Sequence, residues 1–84
     1  MSNEDLRILI LRILRAVGRI GDTADGLKAQ IRGEDASVSA ESISESVQYL
    51  LDRKLALEKR SKVSGLVRLR ISPDGLDLLE EEGI

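Results

Sequence analysis

The chain has 84 residues, 42% of them hydrophobic and 33% charged, with a formal net charge of −2. That length suits one domain, residues 1–84, burying roughly 60–65% of the surface its unfolded chain would expose. There is no Cys and no His, which excludes a disulfide framework, thiolate or imidazole metal sites and Ser-His-Asp catalysis; no enzyme activity and no cofactor are expected.

Ser2 or Asn3 can cap a first helix, with Glu4 and Asp5 at its positive end. At about 100° per residue, Leu6, Leu9, Ile10, Ile13, Leu14, Ala16 and Val17 share one broad face, and Gly18 stops the helix. Ile8 and Leu11 fall on the opposite side among Arg7, Arg12 and Arg15. They read either as apolar residues exposed by chance or as contacts of a homodimer. The arginines interrupt the apolar stretch well short of the ~20 residues that cross a membrane, so a cytoplasmic protein is expected.

Arg19-Ile20-Gly21 is a short connector, read as a one-residue edge strand. Asp22 or Thr23 caps a second helix with Leu27 and Ile31 inward, and Gly33 ends it. After a polar turn from Glu34 to Val38, Ser39 caps a third helix running from about Ala40 to Lys54. Ile43, Val47, Leu50 and Leu51 form its apolar stripe, while Glu41, Ser44, Glu45, Gln48 and Asp52 point outward. Tyr49, the only aromatic residue, sits on the flank, either packing there or offering its hydroxyl to a phosphate. Stacking platforms that hold single-stranded nucleic acid need several exposed rings, so a lone ring argues against one.

Leu55-Ala56-Leu57 begins a strand, and Leu66 to Ile71 alternates, with Val67, Leu69 and Ile71 on one face and Arg68 and Arg70 on the other. Ser61 to Gly65 supplies the turn between them. Ser72 caps a last short helix with Pro73 at its first position, and Leu76 and Leu79 are expected to face inward. The expected architecture is α+β: three helices, a two-stranded β-hairpin and a short C-terminal helix. That order is the layout of a winged helix-turn-helix, in which a helix enters the major groove and the hairpin is the wing.

In such a fold, Ser42, Ser44, Glu45 and Gln48 would face base edges. Gln can pair with adenine and Glu can accept from cytosine. Lys59, Arg60, Lys62, Arg68 and Arg70 would supply the charge of the wing. The charge pattern separates these two elements. Residues 55–72 carry five cations and one acid, whereas residues 34–54 carry two cations and five acids. Phosphate is drawn to the hairpin and repelled by Glu41, Glu45 and Asp52. The same acidic face supports an alternative, a module in which the third helix docks a protein partner and no DNA is bound.

The segments Y-L-L-D-R-K-L-A-L-E-K-R, from Tyr49, and V-R-L-R-I-S-P-D-G-L-D-L-L-E, from Val67, resemble the wing region of MarR- and PadR-like winged-helix regulators. The likeness covers roughly residues 39–82. It implies double-stranded DNA as partner and a role in transcription regulation; a homodimer is expected because one such module rarely binds DNA with useful specificity alone. Leu50 to Leu55 stands where those families turn from reading helix into wing, and Ile71 to Leu76 where the wing leads into the next helix. Two departures matter. Lys54 occupies a position usually held by Gly, and the long flanking helices with which MarR-type repressors dimerise and enclose an effector pocket are not seen, so effector sensing of that kind is not expected.

Overall fold

The computed structural model describes every residue from Met1 to Ile84. It is an α+β structure of four α-helices and a two-stranded antiparallel hairpin. Helix α1 (Asn3–Val17) begins at Ser2, whose hydroxyl accepts from the Asp5 N–H while the Asp5 carboxylate accepts from the Ser2 N–H. A single 3-10 turn, Gly18–Ile20, follows. Helix α2 (Ala24–Glu34) is capped by the Thr23 hydroxyl. It runs past Gly33, the expected stop, because the Asp35 N–H still closes on the Ile31 carbonyl.

Helix α3 (Ala40–Asp52) is capped by Ser39. It ends two residues before the expected Lys54, which instead adopts a left-handed backbone with φ of 59°. Strands β1 (Ala56–Arg60) and β2 (Val67–Ile71) pair from Ala56 opposite Ile71 to Arg60 opposite Val67. The free edge of β2 is bridged by Asp22: its N–H donates to the Leu69 carbonyl at 2.8 Å and its carbonyl accepts from the Leu69 N–H at 2.7 Å. The bridge therefore lies just beyond the connector in which an edge strand was expected. Arg19 and Ile20 turn in the 3-10 segment, and the chain extends only after Gly21.

Helix α1 is the centre of the core, packed against α2, α3, α4 and β2. Leu6, Ile10, Leu11, Ile13 and Leu14 are all buried on it, an arc of about 160° at 100° per residue. A helix with neighbours on several sides buries more than the single stripe of a surface helix. This corrects the placement of Leu11 on an exposed face: it is 0% exposed, in the same core cluster as Leu50 and Leu79. Ala16, expected inside, is exposed. Arg7 falls within the buried arc and lays its guanidinium over the Tyr49 ring, 3.5 Å from the centroid, while Arg53 approaches the same ring at 4.5 Å. Tyr49 is half-buried and packs against the core, so the Arg7 contact ties α1 to the end of α3, while the Arg53 contact is local to the end of α3.

Helix α4 (Pro73–Glu81) is positioned by the turn after α3. The buried Ser72 hydroxyl accepts from the Gly75 N–H at 3.0 Å and donates to the Lys54 carbonyl at 2.7 Å, and the Ser72 N–H donates to the Leu55 carbonyl at 3.1 Å. A Cβ on Gly75 would collide with that Leu55 carbonyl. The two segments that carried the family resemblance thus meet in space. This docking turns Gly75, Leu78 and Leu79 toward the core and leaves Leu76 41% exposed, correcting its expected inward placement.

Candidate nucleic-acid interface

Direct pairing across an antiparallel hairpin puts two side chains on the same face. Lys59 stands opposite Arg68, and Leu57 opposite Arg70. Lys59, Arg68 and Arg70 therefore share one face of the sheet, and all three are exposed. The other face carries Ala56 and Leu69 into the core. Like charges directly opposite each other destabilise a hairpin. Local sheet stability does not account for this arrangement.

The hairpin tip is held by its own hydrogen bonds. The Ser61 hydroxyl accepts from the Val63 and Ser64 N–H groups, the Ser61 N–H donates to the Leu66 carbonyl at 2.9 Å, and Arg60 Nη1 donates to the Gly65 carbonyl at 3.1 Å. Gly65 takes the positive φ, 73°, that returns the chain. Lys62 and Val63 are presented at this ordered tip, with Val63 99% exposed.

All five sequence-predicted wing cations, Lys59, Arg60, Lys62, Arg68 and Arg70, line one groove of about 460 Å³. Arg19 and Ile20 of the 3-10 turn form part of its wall, and no carboxylate lines it. Sequence reading took Arg19-Ile20-Gly21 as an edge strand but did not count Arg19 among the hairpin's cations. The signal that could have found it is the pairing partner of β2: the chain on its free edge is Asp22, and the residues just before it must lie near Arg70.

Helix α3 offers less than its positions promised. Ser44 and Glu45 are exposed, but Ser42 is half-buried and its hydroxyl accepts from the Ser39 hydroxyl at 2.9 Å. The Gln48 amide donates to the Asp52 carboxylate at 2.8 Å. Two of the four expected base-reading side chains are therefore already engaged within the helix. Glu41, Glu45 and Asp52 are exposed, as their spacing requires. Of the two residues expected at a dimer contact, Ile8 is half-buried against the core and Leu11 lies inside it, so Leu11 has no surface to offer a second copy.

A larger cleft of about 650 Å³ opens between α1, the end of α3 and α4, with Ile8, Leu9, Tyr49, Leu55 and Leu78 in its walls. Glu4, Asp5, Glu34 and Glu82 also line it. No three His, Cys, Asp or Glu side chains converge as metal ligands. No helix is long and apolar enough to cross a membrane. No protein-family model, curated protein or solved structure matches the chain.

Proposed function

We propose that the chain is a small winged-helix DNA-binding protein, of the kind that regulates transcription, and that its hairpin contributes more of the affinity than α3. The observation that carries this reading is the Lys59–Arg68 pair with Arg70 beside it: three exposed cations on one sheet face, two of them directly opposed. Phosphate supplies what that face lacks. Each neutralised phosphate of a duplex releases counterion and steepens the salt dependence of log K by about 0.9, so five wing contacts correspond to a slope of about −4.5. Helix α3 would then lie along the major groove, with Ser44 and Glu45 as the side chains still free to meet base edges.

Fluorescence anisotropy of a labelled duplex pool at increasing salt tests this. Binding at low salt, with Lys59→Ala, Arg60→Ala and Arg68→Ala each flattening the slope by about one unit, is expected. Absence of binding to diverse duplexes at low salt refutes it. A second reading, a protein-interaction module, is favoured by the acidic face of α3 and the Gln48–Asp52 bond. It predicts that Glu41→Lys with Glu45→Lys abolishes capture of a basic partner, whereas the DNA reading predicts that this variant binds duplexes more tightly.

A further inference from the structure

We infer that the groove between the 3-10 turn and the hairpin seats a run of adjacent phosphates, with Arg19 as a contact outside the wing. This rests on the DNA-binding reading and adds to it a defined site for the backbone strand. Six cations, Arg19, Lys59, Arg60, Lys62, Arg68 and Arg70, line a concave surface without one carboxylate. Concavity matters because low-dielectric walls of one sign focus the field and raise the local concentration of anions. The groove has no aromatic residue in its lining, so it can hold phosphates but cannot stack bases.

Arg19 is placed there by backbone geometry. Gly21 has φ of 71°, and a Cβ on it would collide with the Leu69 carbonyl. Only glycine lets the chain pass this close to β2 in that conformation. One residue later, the paired bonds of 2.8 and 2.7 Å between Asp22 and Leu69 lock the segment to the strand. The 3-10 turn is therefore fixed as one wall of the groove, opposite the hairpin tip. Ile20, 75% exposed in the same wall, gives the sugar edge of a backbone an apolar surface to rest on. The occupant that fits is the phosphodiester backbone of a duplex; free condensed phosphate has the same chemistry and serves as the discriminating probe.

Two titrations of the full chain test this. In the first, duplex binding is followed by anisotropy for the wild type, Arg19→Ala and Arg19→Lys. Loss of one phosphate contact lowers the salt slope by about 0.9, so between 50 and 200 mM salt the wild type should lose about 3.5-fold more affinity than Arg19→Ala. Arg19→Lys should keep the wild-type slope, and melting curves of all three should coincide, since Arg19 is exposed. In the second, inorganic tripolyphosphate is titrated calorimetrically without DNA, with weaker binding expected for Arg19→Ala. If duplex binds and Arg19→Ala keeps the full slope, the groove assignment is overturned and the DNA reading stands. If no duplex binds but tripolyphosphate binds in an Arg19-dependent way, the groove survives as a free-phosphate site and the DNA reading falls. If neither binds, both fall.

Discussion

Replacing Lys54 by glycine should stabilise this protein. Lys54 has φ of 59°, and it is the only non-glycine residue with a positive φ. A left-handed backbone costs an L-residue roughly 1–2 kcal/mol because Cβ crowds the following carbonyl. Glycine escapes that cost but surrenders about 0.5–1 kcal/mol more conformational entropy on folding. The difference leaves Lys54→Gly more stable by about 0.5–1 kcal/mol. In a domain of this size a 1 kcal/mol gain raises Tm by roughly 4–8 °C, so a rise of about 2–8 °C is expected by calorimetry, with a matching shift of the urea midpoint at constant m. The Lys54 side chain is exposed, and what the fold uses at this position is its carbonyl, which accepts from Ser72. Lys54→Asn should fall between lysine and glycine, and Lys54→Val should destabilise, since a β-branched residue is disfavoured there most of all. The neighbouring Arg53 has φ of −91°, so Arg53→Gly should destabilise. A Lys54→Gly protein no more stable than the wild type, or an Arg53→Gly protein that gains as much, would refute the reasoning.

Leu11→Ala, at a fully buried position, should cost about 2–5 kcal/mol in urea unfolding; a cost under ~1 kcal/mol would put Leu11 outside the core. Ser72→Ala removes both the cap of α4 and the donor to the Lys54 carbonyl and should cost about 1–3 kcal/mol by the same measurement. The Ser37 hydroxyl and N–H both donate to the Asp35 carboxylate and hold its pKa below the ordinary value. The sign follows from linkage: a carboxylate depressed in the folded state adds stability above its unfolded pKa, and that contribution fades as pH falls through the folded value. Ser37→Ala should move the Asp35 titration upward in an NMR pH series, and an unchanged midpoint would show that the hydroxyl bond is not its cause.

Local chemistry alone specified much of this protein. Ser39 and Ser72 were legible as caps, and Ser2 and Thr23 each as one of two candidates, because a hydroxyl just before an apolar-periodic run satisfies helix N–H groups whatever the helix later packs against. The alternation from Leu66 to Ile71 likewise put Arg68 and Arg70 on the solvent face of β2, since strand period is a property of the backbone. What depends on neighbours was not legible. Leu11 is buried because α1 has partners around most of its circumference, which its own periodicity does not encode. Leu76 is exposed because the meeting of Gly75 with the Leu55 carbonyl sets the rotation of α4. Lys54 stands where the families it was compared with usually carry Gly, and only the structure shows the left-handed φ that glycine would take there without cost. Arg19 joins the hairpin cations through two backbone bonds between Asp22 and Leu69, on a strand distant in sequence. Residue order determined the elements and the charge each one carries; tertiary contact decided which of those charges share one groove.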